Sequence, residues 1–283
     1  MANTNYPQAL AELRKAIDDA DAIVVGAGAG LSTAAGLAYA GERFERHFAD
    51  FIAKYGFTDM YSAGFFPFPT PEEQWAYWSR HIWYNRYVEP PKDTYAKLLR
   101  LLDGRDFFVL TTNVDHQFQL AGFPKKRLFY TQGDYGLWQC SEPCHDATYD
   151  NYETVKCMVE EQCDMRVPSE LVPHCPVCGK PMSMNLRADD TFVEDDGWHA
   201  AAARYREFLE AHRDGKVLYL ELGVGANTPV IIKYPFWRST YANPQATYAC
   251  VNYDEAYTHP DIRNRSIVVE ADIDRVFDDL LGG

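Results

Sequence analysis

Six short apolar runs punctuate the chain: Ile23 to Val25, Phe107 to Thr111, Leu128 to Thr131, Val217 to Leu222, Thr247 to Val251 and Ser266 to Val269. Each is continuous rather than alternating, which is how strands buried on both faces of a parallel sheet read. Helical periodicity fills most of the gaps. Leu10, Leu13 and Ile17 line one face of residues 7 to 20, and Ile273 to Leu281 follows Asp272, a capping residue. Between 42 and 103 no run reads as a strand; two or three helices fit, broken at Gly64 to Pro71 and at Pro90-Pro91. Every apolar run ends in small or amide residues, and open α/β sheets bind ligands at that edge. The pattern predicts a six-stranded, doubly wound, parallel α/β sheet of Rossmann-like type with a helical insertion.

The first run belongs to Asp21-Ala-Ile-Val-Val-Gly-Ala-Gly-Ala-Gly-Leu-Ser-Thr-Ala-Ala-Gly36. It reads as a strand, a glycine turn and a helix start. Without Cβ atoms, Gly26, Gly28 and Gly30 let a diphosphate approach the backbone and let the turn take φ > 0. Ser32 and Thr33 are expected to cap the helix whose N–H groups face that anion. A plain βα turn would look similar, but the repeated polar strand ends favour a nucleotide cradle. The spacing is G-x-G-x-G rather than G-x-G-x-x-G, and the ribose-binding acid expected about 20 residues on is missing. Asp50 lies near that distance, but within the helical stretch Glu42 to Ile52. A hydride-transfer dehydrogenase is therefore not supported.

Composition sharpens the picture. With 283 residues and 47% apolar content the chain can bury a full core and carry a smaller module. A net charge of −14 with no basic tract argues against nucleic-acid and anionic-membrane partners. No apolar run approaches the roughly 20 residues of a membrane span, and no signal peptide is visible, so a cytoplasmic location is expected. All seven cysteines except Cys250 fall between 140 and 178. In a cytosolic setting that favours metal ligation over disulfides. Cys140-x3-Cys144 and Cys175-x2-Cys178, the latter within Pro173-His-Cys-Pro-Val-Cys-Gly-Lys-Pro181, read as a closed four-thiolate site for one structural Zn²⁺. His145 and His174 then read as surface residues, and Cys157 and Cys163 as buried apolar thiols. The expected domains are a nucleotide-binding unit at 1–137 and 192–283, with the helical insertion at about 40–92, and a zinc-ribbon module at 138–191. The aromatic run Trp75, Tyr77, Trp78, Trp83, Tyr84 and Tyr87 reads as core.

Taken together, the cradle, an Asn-x-Asp at a strand end, a late cysteine module and a second glycine strand-turn resemble the sirtuin family. Thr111-Thr-Asn-Val-Asp-His-Gln-Phe-Gln-Leu-Ala-Gly122 is similar to that family's Thr-Gln-Asn-Ile-Asp…Ala-Gly stretch in register. Gly223, Gly225 and Asn252 fall where the family contacts the adenosine half of NAD, with Tyr253, Asp272 and Ile273 as further candidates. Three departures mark a subgroup. Gln132 stands where sirtuin deacylases carry a catalytic His, Thr112 replaces a Gln, and Leu37-Ala-Tyr-Ala-Gly-Glu-Arg-Phe44 replaces Pro-Asp-Phe-Arg. This set resembles the class M sirtuins, microbial enzymes that ADP-ribosylate proteins. The resemblance implies NAD as co-substrate and a lipoyl-carrying H-like protein of the glycine cleavage system as acceptor. It also implies a macrodomain hydrolase that reverses the mark. Gly26, Ala27, Gly28 and Thr112 become candidate NAD contacts. Ser32, Tyr39 and Arg43 are candidates for the phosphates or the nicotinamide ribose, Arg43 being equally consistent with a surface helix.

Residue chemistry narrows the reaction. Cleaving nicotinamide from ribose passes through an oxocarbenium-like cation, which a nearby carboxylate and well-placed donors favour. Asn113 would position ribose, water or acceptor, and Asp115 would orient nicotinamide and favour the cation; the plainer reading is an Asx turn. Gln132 can hydrogen-bond a ribose hydroxyl but offers no basicity at neutral pH. Losing a positioned base costs about 10²–10⁴ in rate, so glycosyl transfer survives and acyl removal does not. His116 reads as an exposed loop residue. A deacylase using His116 or water, a silent NAD or ADP-ribose sensor and an NAD hydrolase are the competing readings.

Overall fold

The computed structural model describes residues 6–225 and 229–282. Ala226 and Asn227, at the end of the second glycine strand-turn, lie outside them, as does the start of the chain before Tyr6. All six expected strands form. They are β1 (Ala22–Ala27), β2 (Phe107–Thr111), β3 (Leu128–Tyr130) and, after three strands of a separate sheet, β7 (Val217–Leu222), β8 (Thr247–Asn252) and β9 (Ser266–Glu270). They pair in parallel in the order β3-β2-β1-β7-β8-β9. The chain runs outward from β1 in one direction, then returns beyond it in the other, so a crevice opens at the carboxyl ends of β1 and β7.

Strand side chains alternate between two cores. Ile23, Val25 and Ala27 face α1 (Tyr6–Asp19), α6 (Thr94–Leu101) and α11 (Ile273–Leu281), whereas Val24 faces α9 (Asp196–Ala211) and α10 (Lys233–Ala242). Burying Ile273, Val276, Phe277 and Leu280 docks α11, each side chain contributing about 1.5–3 kcal/mol.

The insertion holds more helices than expected: α3 (Glu42–Tyr55), α4 (Met60–Gly64), α5 (Pro71–Ile82) with a π turn at Trp83–Tyr87, and α6. Local caps explain the extra break. Asp59 accepts from Ser62 N to start α4, and Thr70 accepts from Glu73 N with Pro71 in the first turn of α5. The cysteine segment folds as a three-stranded antiparallel sheet around β4 (Gly133–Cys140), flanked by β5 (Tyr149–Asp150) and β6 (Met182–Leu186), with α8 (Tyr152–Glu161) beside it. Periodicity missed these strands because β5 is two residues long and the β4–β6 register slips between Gly133 and Trp138. The two insertions share one core. Phe44, Phe48, Phe51, Trp75 and Tyr77 pack with Trp138, Val155, Met158 and Met182, and the Trp75 and Trp138 rings meet at 5.1 Å. Trp75 and Tyr77 are buried as expected, while Trp78, Trp83, Tyr84 and Tyr87 are only partly covered.

Candidate functional site

The cradle forms, for reasons other than those the sequence suggested. The helix after β1 is α2 (Ala29–Ala34), capped by Gly28 with no side-chain cap, so Ser32 lies inside it and neither Ser32 nor Thr33 caps. None of Gly26, Gly28 and Gly30 has positive φ, and Gly28 is extended at −118°. Crowding demands glycine instead. A Cβ on Gly28 would stand 2.8 Å from Gly223 O and one on Gly30 2.7 Å from Gly223 Cα, while one on Gly26 would strike Ile232 at 2.3 Å. Gly223, at φ +61°, is the left-handed member of the pair. The two glycine turns thus press backbone on backbone across the crevice.

Behind that seam lies a buried polar cluster. Ser32 Oγ donates to the Asp115 carboxylate and lies 2.9 Å from the Tyr95 hydroxyl. Asn113 Nδ2 donates to Gly28 O at 3.0 Å and to Ser32 Oγ at 3.1 Å, which leaves Oδ1 as an acceptor. Asp115 Oδ1 accepts from Gln117 N at 3.2 Å, so the Asx turn does exist, and it coexists with the Ser32 bond. Asp115 is 4% exposed and forms no ion pair among the described residues. Burial raises its carboxyl to about 6, against the opposing hydrogen bond from Ser32. Burial, and then the Asp115 charge, push the phenol of Tyr95 well above its usual range. Nothing in the local sequence marked Tyr95, because its partners lie 63 and 18 residues away.

Gln132 occupies the turn between β3 and β4, half-buried, with no side-chain hydrogen bond among the described residues. Thr131 N donates to Thr111 O, which sets this turn beside the strand end that carries Thr112, Asn113 and Asp115. His116 is not a free loop residue. Its φ of 61° is left-handed, and its Nδ1 pairs with the buried Asp134, which also accepts from Arg86 Nε at 2.8 Å and Gly136 N at 2.7 Å. Burial would raise the Asp134 carboxyl, but those partners hold it below the usual range. Arg43 is tied down as well, donating to Asn85 Oδ1 at 2.9 Å, Ala38 O at 3.2 Å and Tyr84 O at 2.6 Å. It clamps α3 to the π turn rather than lying on a free helix surface.

The remaining candidates line the same carboxyl edge. Ala27 O accepts from Thr111 Oγ1 and Thr112 N, so Ala27 and Gly26 belong to the strand proper. Gly225 and Tyr253 are exposed, and Asn252 Nδ2 donates to Val224 O at 3.3 Å. Asp272 caps α11 through Arg275 N at 3.0 Å, as its position predicts, and Ile273 is buried in the core.

Cys140, Cys144, Cys175 and Cys178 converge, all four sulfurs within 4.8 Å of one another. The Sγ atoms of Cys140 and Cys178 are 3.6 Å apart and those of Cys144 and Cys175 are 3.8 Å apart. Zinc–sulfur bonds of about 2.3 Å in a tetrahedron demand an edge of about 3.8 Å, so the donors fit Zn²⁺. His145 stands behind the set, with Nδ1 3.0 Å from Cys144 Sγ and Nε2 2.8 Å from the Tyr149 hydroxyl. Cys163 is exposed and Cys157 only half-buried, so neither is the buried thiol expected. Among the described residues no helix is long and apolar enough to cross a membrane.

No family model matches the chain. It is 45% identical over 263 residues to a protein ADP-ribosyltransferase of Staphylococcus aureus, spanning 92% of this chain and 83% of that protein. It is 34% identical over 247 residues to a probable bifunctional ADP-ribose hydrolase/ADP-ribosyltransferase of Fusarium oxysporum f. sp. cubense, covering 82% of this chain and 40% of that longer protein. Among solved structures it is similar to Sir2Tm bound to a propionylated peptide, with TM-score 0.61 and 17% identity over 96% of this chain and 97% of that one. A Sir2 homologue mutant in complex with ADP-ribose gives TM-score 0.57 and 16% identity over 96% and 94%. The chain therefore belongs to the protein ADP-ribosyltransferase family built on the sirtuin fold.

Proposed function

We propose that this protein is a mono-ADP-ribosyltransferase that uses NAD as co-substrate, releasing nicotinamide and modifying a protein acceptor. The observation that carries the reading is Asp115: a buried carboxylate with no cationic partner among the described residues, at the strand-order switch where a dinucleotide would lie. A pyridinium ring supplies the missing positive charge. As the glycosidic bond breaks, its electron pair passes to the ring nitrogen and positive charge moves to the ribose. Asp115 offsets that charge, and Asn113, with Nδ2 anchored and Oδ1 without a partner among the described residues, orients a ribose hydroxyl or the nucleophile. The nucleophile's lone pair closes the new bond and its proton leaves to solvent. Gln132 can hold a hydroxyl but cannot remove its proton, so the reaction stops at glycosyl transfer.

The finer reading names the acceptor as a lipoyl-carrying H-like protein, with a macrodomain hydrolase as functional partner. Its support is the set of departures at Gln132, Thr112 and Leu37 to Phe44, together with a relative whose name joins hydrolase to transferase. One Zn²⁺ on Cys140, Cys144, Cys175 and Cys178 would leave no open coordination position, and its role is structural. The test is mass spectrometry of lipoyl carriers incubated with NAD and either the wild type or Gln132→Ala. A carrier heavier by one ADP-ribose is the expected product; unmodified carriers alongside free ADP-ribose would point to hydrolysis.

One observation favours a second reading, deacylation, because Asp134 orients the His116 imidazole as a base would need. Incubation with NAD and an acyl-lysine peptide decides between them. O-acyl-ADP-ribose formed by the wild type and lost in His116→Ala would establish deacylation.

A further inference from the structure

A chain of hydrogen bonds runs from α5 through Tyr135 to Tyr39, and neither His81 nor Tyr135 has a role above. His81 on α5 is 1% exposed; its Nε2 lies 2.9 Å from the Tyr135 hydroxyl, and its Nδ1 is buried with no partner among the described residues. The Tyr135 hydroxyl has one other partner among these residues, the Tyr39 hydroxyl, also at 2.9 Å. Tyr39 is half-buried, and after burial itself the Asp115 charge helps to push its phenol up.

Two tautomers of His81 fit these distances, and they point the chain in opposite directions. A proton on Nδ1 would leave a buried N–H unpaired, which is rare and costly. A proton on Nε2 leaves only a lone pair unpaired, which proteins tolerate better. Nε2–H therefore donates to Tyr135, Tyr135 donates to Tyr39, and the Tyr39 O–H has no further partner among the described residues. Burial lowers the His81 imidazole to about 3, so it stays neutral at working pH and the direction does not reverse. Tyr135 N donates to Val114 O at 2.9 Å, which holds this chain of hydrogen bonds against the loop that bears Asp115, an acceptor. A donor at the end of this chain and an acceptor on the adjoining loop complement a primary carboxamide, whose C=O accepts and whose N–H donates.

We propose that the Tyr39 hydroxyl donates to the carboxamide oxygen of nicotinamide, with His81 and Tyr135 as positioning residues that fix its direction. The inference rests on the NAD reading above and deepens it. It places Tyr39 at the nicotinamide rather than at the phosphates. It also defines the substrate class: dinucleotides whose pyridinium carries an uncharged carbonyl. The nicotinic acid analogue is disfavoured because its carboxylate would meet Asp115.

Tyr39→Phe keeps the ring and removes the donor. Three quantities are compared with wild type: KM for NAD, inhibition by free nicotinamide, and ADP-ribose binding by calorimetry. Loss of one neutral hydrogen bond should raise the first and weaken the second by about 3- to 10-fold. ADP-ribose lacks the carboxamide, so its affinity should be retained. 3-Acetylpyridine adenine dinucleotide, which keeps the carbonyl and lacks the N–H, should show the same loss as NAD. Tyr135→Phe should move the same readouts and spare ADP-ribose; if it leaves them untouched, the positioning role is overturned. Nicotinamide binding unchanged in Tyr39→Phe, or ADP-ribose binding lost in step with it, overturns the proposal, the latter returning Tyr39 to the phosphates. A wild type that binds neither NAD nor ADP-ribose overturns the NAD reading, and this inference with it.

Discussion

Asp115 is held in a state that water would not choose. Its carboxyl titrates near 6 in the fold and near 3.9 in an unfolded chain. A raised carboxyl stabilises the protein only while it is protonated, so that contribution is lost as the pH rises through 6. Above that pH the ionised form costs about 3 kcal/mol. Asp115→Asn should therefore abolish nicotinamide release while resisting urea better than wild type by about 2–3 kcal/mol at pH 8, a gain that shrinks toward nothing near pH 4. Equal urea midpoints at pH 8 would show that the carboxylate has a partner after all. Ser32 supplies the hydrogen bond that lowers this carboxyl. Ser32→Ala should consequently shift the acid limb of kcat/KM upward in pH, a direction read directly from the profile.

Among elements, the two glycine turns after β1 and β7 form a close backbone-to-backbone joint. Gly30→Ala drives a Cβ to 2.7 Å from Gly223 Cα, and backbone cannot step aside as a flexible side chain can. The expected cost is about 1–3 kcal/mol, seen as a lower Tm, together with weakened NAD binding because the cradle opens. The π turn at Trp83–Tyr87 is the other element that shapes the site. It carries Asn85, whose carbonyl accepts from Gln117 Nε2 at 3.1 Å and whose side chain accepts from Arg43. Arg43 thereby links the stretch that replaces Pro-Asp-Phe-Arg to the loop that bears Asp115.

For the molecule as a whole, the shared core of the two insertions couples the four-cysteine cluster to the inserted helices. Cys140 and Cys175 are themselves part of that core. Binding free energies of structural zinc are about 10–16 kcal/mol, enough to decide whether such a module folds. Chelation, or Cys178→Ala, should release one zinc per chain and erase the near-UV tryptophan signal of the Trp75–Trp138 pair. The parallel sheet should keep most of its far-UV signal. Zinc loss that leaves the tryptophan signal intact would show that the inserted helices stand without the metal.

The sequence by itself determined the sheet. Six buried strands each need a continuous apolar run, and that demand is local enough to read from neighbouring residues. It determined the Asn113/Asp115 spacing and the two cysteine pairs for the same reason, since both are short-range patterns. Only the tertiary structure decided what those residues touch. Ser32 reaches Asp115 across 83 residues, Tyr39 reaches Tyr135 across 96, and His81 reaches Tyr135 across 54. No window along the chain encodes such meetings. The glycines of the cradle show the difference most plainly: their presence was legible, whereas the need for them arises from a second turn nearly 200 residues away that leaves no room for a Cβ.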